Sequence, residues 1–230
     1  MITLRSKIGP LEAVDFNPKA AGPVIVFFHG YGADAADLAP LAGEIALPKP
    51  VRWVFPDAPI AIPLGPYTTG RAWFNLDVER FQKAQLAGTT IDMSQMEPEG
   101  LAQARETALE FLRALGVPWD RLILGGFSQG AMLAADLSLR AEKPPRGLVV
   151  LSGSLISESI WKKLAPARKG LPFFLSHGTA DSILGYSGAQ QLDRVFQEAG
   201  LAGQLLTFDG GHEIPPEVMA SLGEFLSRLA

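Results

Sequence analysis

The sequence predicts an α/β fold in which a mostly parallel central sheet carries helices on both faces. Short apolar, β-branched or aromatic runs alternate with longer segments that are amphipathic at helical spacing, as strand, helix, strand units require. The apolar runs are nearly continuous, which suits strands buried on both faces. The 24 glycines and 18 prolines fall between these elements, as turns.

Strands are expected at residues 24–28, 51–55, 121–124, 147–151, 172–176 and 204–208. Helices are expected at about 37–47, 97–115, 129–139, 187–199 and 216–229. Within 97–115, Leu101, Ala104, Ala108, Phe111, Leu112 and Leu115 recur at three and four, so one stripe faces the sheet, and Gly116 with Pro118 stops the helix. With no internal repeat and no linker-like stretch, residues 1–230 read as one domain. A chain this long buries roughly 70 to 75% of the surface its unfolded form exposes, so an ordinary apolar core suffices. The least regular piece, around 57–96, is long for a loop in a compact domain and reads as a lid or loop insertion. Ile60, Ile62, Leu64, Leu86, Ile91, Met93 and Met96 favour a lid or substrate-facing surface over disorder. The competing reading is a small hairpin or helix that packs on the body and touches no ligand.

Composition removes several function classes. The absence of cysteine excludes thiol nucleophiles, thiolate zinc sites and disulfide frameworks. A formal net charge of −4, with no run of Lys or Arg, gives no electrostatic reason to expect nucleic acid or an anionic membrane as partner. The N-terminus lacks the apolar stretch of a secretory signal, and no segment approaches about 18 consecutive apolar residues. A soluble, cytoplasmic protein without a stable membrane anchor is therefore expected, with a homodimer left open.

The most informative stretch is Ile123-Leu124-Gly125-Gly126-Phe127-Ser128-Gln129-Gly130-Ala131. A buried strand runs into Gly-x-Ser-x-Gly and then directly into a helix of small residues. A nucleophile elbow holds its serine in a strained conformation with the hydroxyl exposed above the sheet, and side chains two residues either side would collide with neighbouring elements. Gly126 and Gly130 occupy those positions. The competing reading is a glycine-rich turn whose serine caps the helix or binds an anion there.

Hydrolases built on this elbow carry their triad in chain order serine, acid, histidine. Of the three histidines, His29, His177 and His212, the base should lie last, which selects His212. The acid is expected in the loop after the preceding strand, where Asp181 has room to reach an imidazole. Asp209 competes, but it lies in the same turn as His212 and reads as a turn cap. His177 reads as structural, hydrogen-bonded near the acid loop. Acyl transfer also needs preorganised donors for the developing oxyanion. The backbone NH of Gln129 supplies one, and the turn Phe28-His29-Gly30-Tyr31-Gly32 aims the Tyr31 NH as the second.

These residues resemble the phospholipase/carboxylesterase family, which contains acyl-protein thioesterases and small carboxylesterases. The matching pieces are His29-Gly30-Tyr31-Gly32, Arg71-Ala72-Trp73-Phe74, Gly126-Phe127-Ser128-Gln129-Gly130-Ala131, His177-Gly178 with Asp181, and Gly211-His212. The resemblance implies an α/β-hydrolase fold and cleavage of small-molecule carboxylic esters or thioesters of short to medium acyl chains, with no cofactor and no metal. It implies catalytic Ser128, Asp181 and His212, an oxyanion hole from Tyr31 and Gln129, and substrate contacts at Trp73, Phe74 and Met93. Asn75 stands where the family usually shows an aspartate, and the stretch from Asp77 to Met96 is longer than in compact members. Both departures lie outside the triad and bear on substrate preference. The rival readings are a feruloyl-type aryl esterase or small peptidase on the same scaffold, and a noncatalytic binding protein that keeps the pocket.

Overall fold

The computed structural model describes residues 3–230; Met1 and Ile2, part of the N-terminal segment read above as lacking a signal, lie outside the described residues. In chain order the strands are β1 (Thr3–Ile8), β2 (Leu11–Phe16), β3 (Val24–Phe28), β4 (Arg52–Pro56), β5 (Ile60–Pro63), β6 (Thr69–Ala72), β7 (Leu122–Phe127), β8 (Gly147–Leu151), β9 (Phe173–Gly178) and β10 (Leu205–Phe208). The helices are α1 (Leu41–Glu44), α2 (Val78–Leu86), α3 (Leu101–Leu115), α4 (Gln129–Arg140), α5 (Glu158–Leu164), α6 (Tyr186–Glu198) and α7 (Pro216–Leu229).

Eight strands form one sheet in the order β1-β2-β4-β3-β7-β8-β9-β10, and β5 with β6 form a separate hairpin. From β4 to β10 every neighbouring pair is parallel, while β1 and β2 add antiparallel at one edge. The central strands alternate their side chains between two cores. Val24, Val26 and Phe28 join Leu122, Leu124, Leu148 and Val150 under α3, α4, α5 and α6. Ile25, Phe27, Ile123, Val149 and Leu151 face the other way, against α1 and α7. Burial on both faces is why these strands are apolar at every position.

The chain leaves β3 toward β4 on one side, and β7 lies on the other, so the strand order reverses at the β3–β7 pair. Loops diverge there at the carboxyl ends of the strands and leave a crevice, the usual ligand position in open α/β sheets.

Five features differ from the sequence-based expectation, the first being α5, which no expected helix covers. The helix expected at 37–47 shrinks to α1. Its apolar residues Ala35, Leu38, Leu41, Ala42 and Ile45 are buried at the expected spacing, but turns occupy the residues before Pro40. The helix expected from 97 starts at 101, because Gly100 sits at φ 85, outside helical space. The β1–β2 hairpin is additional to the expected strands, since its polar alternation lacks the continuous apolar run of a buried strand. Within 57–96 lie the β5–β6 hairpin and α2, capped by Asp77 and carrying no fully buried residue.

Candidate active site

β7 ends at Phe127 and α4 begins at Gln129, so Ser128 makes the turn alone, at φ 54 and ψ −117. A serine pays for that backbone geometry with strain, which the surroundings must impose. Ser128 N donates to Leu151 O at 2.8 Å, which fixes the end of β7 against β8. A Cβ on Gly126 would lie 2.5 Å from Phe28 O, and one on Gly130 would overlap the carbonyls of Phe28 and His29. The two glycines therefore let α4 leave across β3 at close range.

Two strands along the sheet from β7, Asp181 follows β9 with its side chain fully buried. Its Oδ1 accepts from Ile183 N and Leu184 N, each at 2.9 Å. Its Oδ2 lies 2.7 Å from His212 Nδ1 and 3.2 Å from His177 Nε2. Burial alone would raise the Asp181 pKa, but the hydrogen bonds from His177, His212 and the Leu184 amide hold it well below the ordinary carboxylate range. His212 comes from the turn after β10, and its ring rests on Phe127, centroids 4.8 Å apart. The turn is tied by Ser152, whose Oγ donates to Glu213 O at 3.3 Å. Among the described residues no hydrogen bond joins Ser128 Oγ to His212. Asp209, the competing acid, is exposed.

Tyr31 lies in the turn after β3, and its backbone NH donates to no protein group among the described residues. Gln129 is the first residue of α4, so its NH has no intrahelical acceptor. A network of hydrogen bonds sets this turn. Gln129 Oε1 accepts from Trp73 N at 2.8 Å and Gln129 Nε2 donates to Phe74 O at 2.8 Å. Trp73 Nε1 donates to His29 O at 2.9 Å. His29 Nδ1 donates to Gly30 O and its Nε2 accepts from Ala58 N, an arrangement that leaves the ring one proton. Burial lowers the His29 pKa accordingly. Gly32 N reaches Arg71 O and Arg71 N reaches Ala33 O, so β6 runs alongside the turn.

Trp73 and Phe74, expected at the substrate groove, lie instead in the core behind the elbow, 1% and 0% exposed. Their polar atoms brace Gln129 and His29, which removes them from direct contact with a ligand in this conformation. Met93 is also buried, but it lines a cavity of about 440 Å³ with Leu76, Phe81, Ile91 and Met96. Asn75 stands at the cavity edge, exposed, with its amide bonded to Glu99 O. Two larger grooves, about 680 and 650 Å³, flank α7 and include none of these residues. Sequence reasoning credits Gln129 with its backbone NH alone and passes over Ser152. A glutamine beside a nucleophile at the start of a buried helix is a usable signal, because a buried amide must find partners. Ser152, after an apolar strand, reads like any turn serine.

Among the described residues no group of three or more His, Asp or Glu side chains is placed to hold a metal ion. Among the described residues no helix is long and apolar enough to cross a membrane.

The sequence profile of the phospholipase/carboxylesterase family matches residues 11–230. The chain is 29% identical over 199 residues to acyl-protein thioesterase 1 of Cryptococcus neoformans var. neoformans, covering 83% of this chain and 80% of that one. It is 27% identical over 237 residues to acyl-protein thioesterase 1 of Debaryomyces hansenii, covering 96% and 97%. Among solved structures, esterase PE8 matches over 100% of both chains with a TM-score of 0.78 at 26% identity. A carboxylesterase from Mesorhizobium loti shares the fold, with a TM-score of 0.73 at 20% identity over 98% of each chain. With its profile match running through nearly the whole sequence, the chain belongs to the phospholipase/carboxylesterase family and is a carboxylic ester hydrolase of the α/β-hydrolase fold.

Proposed function

We propose that the protein is a serine carboxylesterase or acyl-thioesterase that cleaves small-molecule esters or thioesters of short to medium acyl chains with Ser128, His212 and Asp181. The observation that carries this reading is the 2.7 Å contact of His212 Nδ1 with Asp181 Oδ2, in a ring that rests on the residue preceding Ser128. His212 Nε2 takes the Ser128 proton as the hydroxyl attacks the acyl carbonyl. Asp181 holds the tautomer that leaves Nε2 free and stabilises the imidazolium that forms. The Tyr31 and Gln129 amides receive the oxyanion, at a helix N-terminus whose dipole favours negative charge. The alcohol or thiol leaves with the proton from His212, and water repeats the sequence on the acyl-enzyme.

The cavity beside Asn75 is the proposed acyl site, because Leu76, Phe81, Ile91, Met93 and Met96 offer an adaptable apolar wall, among the charged Asp77, Arg80, Glu97 and Glu99, next to the segment that Gln129 braces; none of Ser128, Asp181 and His212 lines it. Its volume of about 440 Å³ falls within the ordinary range for small-ligand pockets. Each methylene buried there is worth about 0.8 kcal/mol until the cavity is full. Segment 57–96 then serves as the cover of a single 1–230 domain. A panel of p-nitrophenyl esters of increasing chain length, run beside an acyl thioester, a feruloyl ester and a peptide, tests the reading. kcat/KM is expected to rise from acetate to a short or medium chain and then fall, with the thioester cleaved as well. Preference for the feruloyl ester or the peptide over every alkyl ester would overturn it.

A further inference from the structure

His177 is fully buried on β9, and its ring faces the same carboxylate oxygen that His212 uses. Its Nε2 lies 2.7 Å from Leu184 O. A carbonyl only accepts, so Nε2 carries a hydrogen. Nδ1 is buried with no partner among the described residues, and a second hydrogen there would gain nothing. The ring thus presents one N–H, which donates to Leu184 O at 2.7 Å and stands 3.2 Å from Asp181 Oδ2. A side chain needed only for packing has no reason to bring an unpaired nitrogen into the core, where an apolar ring of similar size would avoid the desolvation cost.

The geometry points to His177 as a positioning residue, whose Nε2–H shares Asp181 Oδ2 with His212 and so sets both the direction and the strength of the Asp181–His212 hydrogen bond. The inference rests on the reading of Ser128, His212 and Asp181 as the catalytic set. Two backbone amides fix Oδ1 and two imidazoles divide Oδ2, so the carboxylate plane is held at both oxygens. The hydrogen bond to Leu184 O also ties the far end of the acid loop back to β9. Without the His177 donor, the acid loop is freer to move around the His212 contact it still makes, and Oδ2 keeps more of its charge for His212 alone. The first effect slows turnover. The second stabilises the His212 imidazolium and moves the acid limb of the kcat/KM profile to higher pH. Tyr186 on α6 places its ring 6.4 Å from that of His177, and Asp209 and Glu213 lie within three residues of His212 on the same turn. Glu213 Oε1 accepts from Gly211 N.

The test compares wild type with His177→Gln, His177→Asn and His177→Phe. The Gln amide can place an N–H near the position of Nε2, whereas the Asn amide reaches only the position of the unpaired Nδ1. Turnover of the best p-nitrophenyl ester is expected to drop about ten- to a hundredfold in the Asn and Phe variants, the scale of a misplaced catalytic group, with KM within about twofold. Their acid limb should shift upward, and the Gln variant should recover both kcat and the limb. If His177→Phe fails to fold, the Asn and Gln pair decides the matter. A kcat and pH limb that match wild type in the Asn variant, or that change equally in Asn and Gln, would overturn the inference even if thermal stability fell. Wild type treated with a fluorescent organophosphonate provides the separate control: labelling at Ser128 sustains the catalytic reading on which the inference stands, and labelling elsewhere overturns both.

Discussion

Gln129→Met should destabilise the protein through two named backbone groups. Methionine keeps the length and approximate volume of the side chain but removes the acceptor for Trp73 N and the donor for Phe74 O, both 2.8 Å bonds made by a side chain with no solvent exposure. A buried polar group left without a partner costs about 1 to 3 kcal/mol. Two are orphaned here, and Phe74 lies next to the exposed Asn75, where water can reach part of the segment. The expected loss is therefore about 2 to 4 kcal/mol, a large share of the roughly 5 to 15 kcal/mol typical of a folded domain. Urea unfolding followed by tryptophan fluorescence should show a lower midpoint with an unchanged slope. Turnover should also fall in the folded variant, because Trp73 Nε1 holds His29 O at the base of the Tyr31 turn. A change below about 0.5 kcal/mol, the scale of a neutral surface substitution, would refute the assignment of this amide as the brace between elbow and turn.

Asp181→Asn should lower kcat by about 10⁴ with little change in KM, since the wrong His212 tautomer is then favoured, and Asp209→Asn should be mild; the reverse pattern in steady-state kinetics would exchange the two acids. The folded-state pKa of Asp181 is depressed, so its carboxylate stabilises the fold fully above the unfolded value near about 3.9 and loses that contribution as pH falls further. The gap in urea midpoint between wild type and Asp181→Asn should accordingly narrow below about pH 4, and a gap that widened on acidification would contradict the sign. Met93→Gln or Ile91→Asn should flatten the rise of kcat/KM with acyl length and leave acetate hydrolysis nearly unchanged, whereas a profile identical to wild type would show that the segment packs on the body and binds nothing.

The parts of the fold that are legible in the sequence are those whose burial leaves a periodic trace. β3, β7 and β8 are apolar at nearly every position, and β9 over Phe173 to Leu175, because both faces of each are covered. The apolar stripe of α3 matches its buried residues Leu101, Ala104, Ala108, Phe111, Leu112 and Leu115. Elements that bury little leave less to read. No residue of α2 is fully buried, and its helical form rests on the Asp77 cap and an exposed Glu79–Lys83 pair. Pro40 and the extended residue Ile45 close α1 after one turn, although its apolar spacing matches a longer helix. At the site, the tight turn at Ser128 and the strand-end positions of Asp181 and His212 can be read from glycines and strand ends, because such a turn admits few residue types. The partners of Gln129 and Ser152 cannot, since those hydrogen bonds join segments far apart in sequence, whereas His177 reads as hydrogen-bonded near the acid loop and only its partners, Leu184 O and the Asp181 carboxylate, depend on the path of that loop.

The central claim, that Ser128 is the nucleophile, is tested most directly by the steady-state ester turnover of purified Ser128→Ala. The substitution removes the attacking oxygen and little volume, so the fold should persist with its unfolding midpoint nearly unchanged. Turnover should fall to the residue of rate enhancement that binding and the oxyanion donors supply alone, below about a hundredth of wild type. A correctly folded variant that keeps more activity than that would contradict the account.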